Sequence, residues 1–246
     1  AVRLVRAFPY VHGPPEPEAG KISVIIPVLN EAVRIRTTLR CLQPLRKRGH
    51  EVIVVDGGST DETWSQATPL VDHIVRSAPG RAGQMNRGAS VANGKLLWFV
   101  HADTRVPESA DLVLLSTSRT IATSKYWGYF SVRLSGGHFL LRIVERMMNM
   151  RSRITSIATG DQGIFVSKVL FDDVGGFSDL PLMEDIDLSK RLRTIRKPVA
   201  LRETLVTSSR RWEQHGIIRT IALMWLLRLA WFSGVSAKRL ARYYGS

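Results

Sequence analysis

The chain has a single cysteine, Cys41, and few acidic residues for its size. One cysteine excludes an intramolecular disulfide and argues against a cysteine-based metal site. The 246 residues include 21 Asp and Glu against 35 Lys and Arg, so the formal net charge is +14. Of those cations 27 are arginine, whose planar guanidinium suits bidentate contacts with phosphate. We therefore expect an anionic partner, such as a phosphorylated substrate, an anionic lipid headgroup or nucleic acid.

Long uninterrupted apolar runs are also missing. The strongest apolar stretch, Ile217–Val235, is interrupted by Arg219 and Arg228, whereas a transmembrane helix needs roughly 20 apolar residues. The first ten residues lack the apolar core of a signal peptide. We predict no transmembrane helix and a cytoplasmic location. The C-terminal stretch has three interpretations: an amphipathic helix lying peripherally on an anionic membrane, a helix packed on the domain, or a helix that pairs protomers in a homodimer.

Short apolar runs alternate with helical patterns in the first half of the chain. A short run of consecutive apolar residues predicts a strand buried on both faces of a parallel sheet. Such strands are joined by right-handed helical crossovers. The pattern predicts an α/β fold with a doubly wound, mostly parallel Rossmann-like sheet. The strands are expected at 22–27, 51–55, 71–76 and 95–101, and the helices at 32–45, 61–67 and 82–92.

The second half is less regular and predicts a smaller antiparallel part. Strands are expected at 127–134, 163–167 and 205–209, and helices at 139–150 and 183–195. The domain organisation that follows has three parts. They are a flexible lead-in over 1–20, one α/β domain over 21–212, and a C-terminal amphipathic helical segment over 213–246.

Two aspartates directly follow predicted strands, where ligands of such sheets bind. Asp56 precedes a Gly-Gly pair that allows close approach of the backbone to a ligand. Its carboxylate is placed to accept a hydrogen bond from a nucleoside base. Asp103 is expected to bind Mn²⁺ or Mg²⁺ on a diphosphate, with His101 as a second ligand or a hydrogen-bond partner. A helix or loop cap is the alternative for Asp56, and a solvated loop residue is the alternative for Asp103.

Two further segments are expected to contact the donor nucleotide. Pro27, Asn30 and Glu31 end the first strand, although Asn30 is equally suited to cap the next helix. The glycine-spaced stretch 80–88 contains Arg81 and Asn86 and opens a helix, whose backbone N–H groups suit a pyrophosphate. An ordinary loop-to-helix turn is the alternative there.

Asp185, at the start of a predicted helix, is the candidate general base that takes a proton from an acceptor hydroxyl. Acidic residues are also common as helix caps, which is the alternative interpretation. Acceptor contacts are expected from polar or aromatic side chains elsewhere in the second half of the chain. These residues are Asp161, Gln162, Glu184, Arg211 and Trp212.

Taken together, residues 21–212 resemble the family 2 glycosyltransferases with a GT-A fold. Residues 54–61 are similar to the family's Val-Asp-Asp-Gly-Ser-x-Asp signature, with Gly57 in place of the second Asp. The stretch 101–103 occupies the metal-binding Asp-x-Asp position, with His101 in place of the first Asp. The resemblance implies that Asp56 contacts the base, that Asp103 binds the metal and that Asp185 is the catalytic base.

Other segments extend the resemblance. Residues 22–31 are similar to the family's opening strand and Asn-x-Glu loop, and 210–212 to the Arg-Trp motif of processive synthases. Three stretches resemble a narrower group of stand-alone enzymes associated with radical-SAM and selenium-related domains. They are 98–104, 158–163 and 181–185.

The resulting hypothesis is an inverting, metal-dependent glycosyltransferase that uses a UDP- or GDP-sugar and an unidentified acceptor hydroxyl, lipid or anionic in character. Three alternatives are a catalytically degenerate nucleotide-sugar-binding domain, a sugar-phosphate nucleotidyltransferase and a basic nucleic-acid-binding protein. The nucleotidyltransferase normally has a Gly-rich, basic loop where this chain has residues 27–31. The chain shows no recognised nucleic-acid-binding motif, and its arginines are spread along its whole length.

Overall fold

The computed structural model describes residues 20–244, so residues 1–19 of the predicted lead-in lie outside the described part. Within that part, seven strands form one sheet. They are β1 (Ile22–Val28), β2 (Glu51–Asp56), β3 (His73–Arg76), β4 (Leu96–Phe99), β5 (Trp127–Leu134), β6 (Phe165–Ser167) and β7 (Val199–Thr207). Their order is β3-β2-β1-β4-β6-β5-β7. The first four strands are parallel. β6 is antiparallel to β4 and β5, and β7 is parallel to β5.

Helices connect and cover these strands. In the described residues they are α1 (Ile35–Cys41), α2 (Gln43–Lys47), α3 (Thr63–Ala67), α4 (Arg81–Val91), α5 (Ala110–Thr120), α6 (Phe139–Thr155), α7 (Lys168–Asp173), α8 (Glu184–Ile195), α9 (Arg210–His215), α10 (Ile217–Phe232) and α11 (Ala237–Tyr244). Short 3₁₀ turns lie at Thr68–Leu70 and Gly160–Gln162.

The central strands are buried on both faces. Every residue of β1, β2 and β4 is buried. Along β1, Val24 and Ile26 belong to a core cluster shared with α1 and α5, whereas Ile25 belongs to a second cluster shared with α4, α7 and α8. Side chains of a strand point alternately to opposite faces, so the sheet is covered by helices on both sides. The predicted α/β architecture is therefore confirmed.

Local deviations from the predicted elements have simple causes. The helix expected at 32–45 is split into α1 and α2, because Pro44 lies in the first turn of α2 and proline has no N–H to continue an existing helix. The predicted antiparallel part is present where β6 pairs with β4 and β5, whereas β7 pairs parallel with β5. Helices α5 and α7 were not predicted.

The C-terminal helices pack on the body of the domain. Leu227 of α10 and Leu240 of α11 share a buried cluster with Leu182, Met183 and Ile186, at the beginning of α8. Between residues 20 and 244, no helix combines the length and the apolar character needed to cross a bilayer.

Helix α4 lies unusually close to the sheet at Gly88. A Cβ atom added there would lie 2.4 Å from Cγ2 of Ile25 and 3.0 Å from Cγ2 of Val55. Both neighbours are fully buried, so neither has room to move. Glycine at this position therefore sets the distance between α4 and the two strands.

We predict that Gly88→Ala lowers the free energy of unfolding by about 1–3 kcal/mol, because overpacking displaces β1 and β2. Gly83→Ala, in the same helix, is the matched control, since an added Cβ would meet nothing within 4 Å. The control is expected to raise stability by about 0.5–1 kcal/mol through helix propensity. Urea unfolding measures both values, and equal effects of the two substitutions would contradict the packing argument.

Candidate active site

The loop after β2 is folded around Asp56. This residue is 2% exposed. Its Oδ1 accepts hydrogen bonds from the backbone N–H of Ser59 at 3.0 Å and from the Ser59 hydroxyl at 2.5 Å. The loop-cap interpretation of Asp56 thus holds for one of its oxygens. Within the described residues, Oδ2 accepts no hydrogen bond, so a carboxylate oxygen remains for a ligand.

The loop after β1 is tied to the loop after β2. Asn30 has a left-handed backbone (φ 54°). Its N–H donates to Ser59 Oγ at 2.9 Å, and its Oδ1 accepts from the N–H of Thr60 at 2.9 Å. The alternative that Asn30 caps the next helix is wrong, because α1 begins at Ile35 with Arg34 as its N-cap.

Pro27 and Glu31 lie on either side of this link. Pro27 is buried within β1 opposite Val55 of β2. The Glu31 N–H donates to Thr63 Oγ1 at 2.7 Å, and its carboxylate pairs with Arg34 at 3.4 Å. Asn30 and Glu31 therefore border the same loop region as Asp56, whereas the Pro27 ring is enclosed by the sheet.

Gln84 of α4 holds the ends of the first two strands together. Its Nε2 donates to the carbonyl oxygens of Val28 and Val55, at 2.8 Å each. A Cβ atom on Gly57 would lie 3.1 Å from the Gln84 amide. This contact explains why glycine occupies position 57: a larger residue would press against the buried amide. No local sequence signal distinguishes Gln84 from a surface glutamine.

Asn86 has a packing role in place of the predicted donor contact. Its Nδ2 donates to the carbonyl oxygen of Phe177 at 2.8 Å, and its Oδ1 accepts from the N–H of Phe177 at 2.9 Å. The side-chain amide is thus paired as donor and acceptor with the segment that leads to α8. The helical spacing of the sequence did not reveal this partner, which lies 91 residues further along the chain.

Asp185 lies in the first turn of α8 with both carboxylate oxygens on backbone donors. Oδ2 accepts from the N–H of Gly160 at 2.8 Å, and Oδ1 accepts from the N–H of Ile186 at 2.7 Å. The capping alternative is wrong, because the N-cap of α8 is Met183. Met183 has a left-handed backbone (φ 68°), a strained conformation for a residue with a long side chain.

Both acids at the start of α8 have raised pKa values. Burial raises the pKa of Asp185 above its ordinary value, against two backbone hydrogen bonds and His101, which lower it. Burial also raises the pKa of Glu184, and the neighbouring Asp185 charge adds to this effect. Glu184 is 6% exposed. A carboxyl group with an elevated pKa is suited to accept a proton near neutral pH.

Asp161 and His101 face each other across the same site. His101 Nδ1 lies 3.3 Å from Asp161 Oδ1. Burial would raise the pKa of Asp161, but the His101 hydrogen bond and the charges of His101, Arg81 and Arg211 outweigh burial and lower it. Asp161 therefore stays ionised while Asp185 binds protons more readily. Two aspartates in one site are thus differentiated by their surroundings.

Gly160 permits this arrangement. A Cβ atom at position 160 would lie 2.4 Å from His101 Nε2, while the Gly160 N–H donates to Asp185. A small cavity of about 10 Å³, roughly the space of one water, is lined by the same group of residues. The lining residues are Met85, Phe99, His101, Gly160, Ile164, Phe177, Glu184 and Asp185.

Two cations complete the site. Arg81, at the start of α4, is exposed. Desolvation acts against its charge, but the fields of Tyr244, Glu184, Asp161 and Asp185 outweigh it and raise the pKa of Arg81. The structure therefore brings Arg81 to the acidic residues near α8.

Arg211 is held by the end of α11. Its guanidinium lies 3.5 Å from the ring centroid of Tyr244, and its Nη2 donates to the Tyr244 carbonyl oxygen at 2.5 Å. Burial raises the pKa of the Tyr244 phenol, against the fields of Arg81 and Arg211. The sequence analysis missed Tyr244, because nothing near it in the sequence indicates a site.

One predicted acceptor contact is corrected by the structure. Gln162 is 0% exposed. Its Oε1 accepts from Ser152 Oγ at 2.7 Å, and it closes a capping box with Thr159, so it is not free to bind an acceptor. Trp212 packs beside Leu141 and Val144 of α6 and is only partly buried, so its acceptor contact stays a prediction.

Asp103 follows β4 in a loop with few internal contacts. Its side chain makes no hydrogen bond or ion pair with the described residues. Next to it, Thr104 Oγ1 is buried without a hydrogen-bond partner. Between residues 20 and 244, no three His, Cys, Asp or Glu side chains are grouped to hold a metal ion. His101, predicted as a metal ligand or a hydrogen-bond partner, faces Asp161 through Nδ1.

Comparison with known proteins places this geometry in context. Residues 23–121 match the family model described as glycosyl transferase family 2. A probable glycosyltransferase, YdaM of Bacillus subtilis, is 26% identical over 252 residues, which cover 92% of this chain and 59% of YdaM. A beta-monoglucosyldiacylglycerol synthase of Synechocystis is 26% identical over 266 residues, covering 95% of this chain and 53% of the synthase. The chain thus spans little more than half the length of these relatives.

Solved structures share the fold. A mannosyltransferase of Pyrobaculum calidifontis in complex with GDP-Man and Mn²⁺ aligns with a TM-score of 0.57 at 22% identity, over 81% of this chain and 60% of that one. Glucosyl-3-phosphoglycerate synthase of Mycobacterium tuberculosis, in complex with Mn²⁺, UDP and phosphoglyceric acid, aligns with a TM-score of 0.57 at 20% identity, over 76% and 69%. The fold is GT-A. Proteins named as glycosyltransferases are thus similar to this chain in sequence and in fold.

We predict that Gly160→Ala displaces His101 and lowers the free energy of unfolding by about 1–3 kcal/mol, because the added methyl group overlaps the imidazole. Gly137→Ala is the control, since nothing lies within 4 Å of an added Cβ. Urea unfolding gives the stability, and NMR signals of the histidine rings report the displacement. If both variants left the His101 signals unchanged, the proposed close approach would be wrong.

Proposed function

We propose that this chain is an inverting, metal-dependent glycosyltransferase that moves a sugar from a UDP- or GDP-sugar to an acceptor hydroxyl. The observation that carries the proposal is Asp185. It is a carboxylate with a raised pKa, oriented by two backbone N–H groups. It shares an acidic site with Arg81 and His101, which lie close to the carboxyl ends of the parallel strands.

The donor nucleotide binds across the loops that follow β1, β2 and β4. Asp56 receives the base through its remaining carboxylate oxygen, and the linked loop of Asn30 and Glu31 borders the ribose. Arg81, at the N-terminus of α4, approaches the diphosphate, where a guanidinium and a helix N-terminus both favour an anion. Support comes from neighbours of the same fold that hold GDP-Man or UDP. Because those neighbours carry different bases, the proposal includes both UDP-sugars and GDP-sugars as donors.

The residues fit a divalent cation that arrives with the nucleotide. Mg²⁺ is commonly bound by one or two carboxylates together with substrate phosphates, rather than by a cage of protein ligands. The unpaired carboxylate of Asp103 meets that requirement. Asp161 pairs with Nδ1 of His101, an arrangement that orients the ring and leaves Nε2 as the nitrogen for a ligand. When bound, Mn²⁺ or Mg²⁺ supplies positive charge to the diphosphate leaving group.

Asp185 performs the proton transfer. As the acceptor oxygen forms its bond to the anomeric carbon, its proton passes to the Asp185 carboxylate, and the bond from that carbon to the diphosphate breaks. The products are the glycosylated acceptor and a nucleoside diphosphate. A single displacement inverts the anomeric configuration. Raised proton affinity at Asp185 suits this step, and ionised Asp161 with His101 keeps the site polar.

The acceptor approaches from the side of Arg211 and Tyr244. Arg211 is a cation beside the acidic site, and it suits an acceptor that carries negative charge. The relative named beta-monoglucosyldiacylglycerol synthase acts on a lipid by its name, which supports a lipid acceptor for this chain. The narrower resemblance to enzymes associated with radical-SAM and selenium-related domains stays a prediction, and so does a homodimer.

We predict that Asp185→Asn lowers the transfer rate by about 10²–10⁴-fold while donor affinity stays nearly unchanged, because only the proton acceptor is removed. Asp172→Asn, at an exposed aspartate on α7, is the matched control. Release of nucleoside diphosphate measures turnover, and thermal unfolding verifies that the variant is folded. Turnover near the wild-type rate would remove Asp185 from the role of base.

We predict that one nucleotide class among UDP-, GDP-, dTDP- and CMP-sugars raises the melting temperature, and more strongly with Mn²⁺ than without it. Asp103→Ala is expected to remove the Mn²⁺-dependent part of the shift, because the phosphate-bound ion loses its protein ligand. Asp172→Ala serves as the control. Equal shifts with and without Mn²⁺ in the wild type would contradict the metal assignment, and no shift with any donor would contradict the donor site.

A further inference from the structure

Helix α10 presents a row of large apolar side chains to solvent. Their spacing of three, four and seven residues places them on one face of the helix. We call them the outer row, and each is more than half exposed. The outer row consists of Ile218 (72%), Trp225 (57%), Leu226 (64%), Leu229 (66%) and Phe232 (55%).

The opposite face of α10 is fixed to the protein. Leu227 is 4% exposed, and with Leu223 it packs in the cluster that contains Met183 and Ile186. Rotating the helix to bury the outer row would expose this inner face instead. The outer row is therefore held outward by packing that already stabilises the fold.

A second exposed apolar row lies on the neighbouring helix α6. The two helices meet where Met148 packs in one cluster with Ile217 and Ile221. Along α6, positions four, eight, eleven and fifteen residues after the first apolar residue continue the row. Its members are Phe139 (66%), Ile143 (46%), Met147 (38%), Met150 (59%) and Ile154 (74%). Exposed apolar rows on two adjacent helices are typical of an interaction site.

Within the two C-terminal helices the charges have one sign. Residues 217–244 contain five Arg and Lys and no Asp or Glu. On α11, Leu240 is buried, whereas Lys238, Arg239 and Arg242 are exposed. The acidic residue of α6, Glu145, is 8% exposed and pairs with Arg142 at 2.9 Å. A partner that binds this surface must therefore offer both an apolar region for the exposed side chains and negative charge for the cations.

We propose that the outer row of α10 and the cationic face of α11 form a docking surface for an anionic phospholipid bilayer. The helix lies in the plane of the interface: apolar side chains enter the acyl boundary, and Lys238, Arg239 and Arg242 meet lipid phosphates. Trp225 suits the headgroup level, where aromatic rings of this kind concentrate. A second copy of the chain fits less well, because a two-fold dimer would bring these cations together with no exposed carboxylate from residues 217–244 to offset them.

The docking surface has a consequence for the acceptor that rests on the proposed function. The inner face of α10 and α11 packs on Met183, directly before Glu184 and Asp185, and Tyr244 of α11 contacts Arg211. A bilayer on the outer face thus lies beside the acceptor side of the site. The acceptor class that follows is an alcohol carried by a membrane lipid.

Co-sedimentation with vesicles tests the surface. The wild type is expected to bind vesicles of phosphatidylcholine mixed with phosphatidylglycerol and not vesicles of phosphatidylcholine alone, and raised salt should weaken binding. Leu226→Ser with Leu229→Ser should weaken binding about tenfold or more through lost apolar burial. Lys238→Ala, Arg239→Ala and Arg242→Ala together should weaken it about 10- to 100-fold through lost attraction to lipid phosphates.

Matched variants elsewhere control for exposure and charge. Val169→Ser with Ile195→Ser removes two residues that are 49% and 50% exposed. Arg36→Ala, Arg40→Ala and Lys47→Ala remove three exposed cations from the first half of the chain. Both controls are expected to bind anionic vesicles like the wild type. Weakening by the controls equal to that of the test variants would overturn the surface, because binding would then follow total charge or hydrophobicity.

Light scattering and the donor thermal shift separate the remaining outcomes. No binding of the wild type to anionic vesicles overturns the proposal, and so does a dimer that Leu226→Ser with Leu229→Ser dissociates in the absence of lipid. Vesicle binding that follows the predicted variants, without a donor shift, supports the surface and contradicts the proposed function. A donor shift without vesicle binding overturns the surface alone.

Discussion

The side-chain amide of Gln84 is the interaction on which the candidate site depends. Its two hydrogen bonds, to Val28 and Val55, join the carboxyl ends of adjacent parallel strands at a point where the loops diverge. Buried carbonyl groups without donors would be costly there, and an inserted water would loosen both loops. Gly57 and Gly88 make room for α4 on either side of this amide. The side chain of Gln84 on α4 therefore fixes the positions of Asp56 and of the loop that contains Asn30.

The acidic residues owe their different proton affinities to placement, since their side chains are chemically alike. Asp161 is surrounded by His101, Arg81 and Arg211, which favour its charged form. Burial and the charge of Asp161 favour the protonated form of Asp185, and burial and the charge of Asp185 favour that of Glu184. Burial lowers the pKa of Arg151 on α6, against the charge of Asp185, which raises it. The site is thus polarised, with cations toward Asp161 and acids toward α8.

Features that follow from a local pattern, such as buried strands and the aspartates after them, could be predicted from the sequence. Side-chain partners that are distant in the chain could not. Continuous apolar runs define β1, β2 and β4, and aspartates after those strands or at the start of α8 lie where strand ends and helix starts must lie. Gln162, Asn86 and Trp212 look like ligand-binding residues in sequence, yet each pairs or packs with residues 10 to 91 positions away or with another helix. Tyr244 shows the converse. It enters the site because α11 folds back, which a local pattern does not reveal.

The left-handed backbone of Met183 indicates a structural role for the C-terminal segment. A non-glycine residue in that conformation costs about 1–3 kcal/mol and persists only where the surrounding packing imposes it. The surroundings of Met183 are Leu227 and Leu240 of the two C-terminal helices. The hairpin of α10 and α11 therefore packs against the residue whose backbone is strained, directly before the acidic pair. In sequence, 213–246 looks like an appendage to a finished domain, but its two helices supply part of the packing around the start of α8.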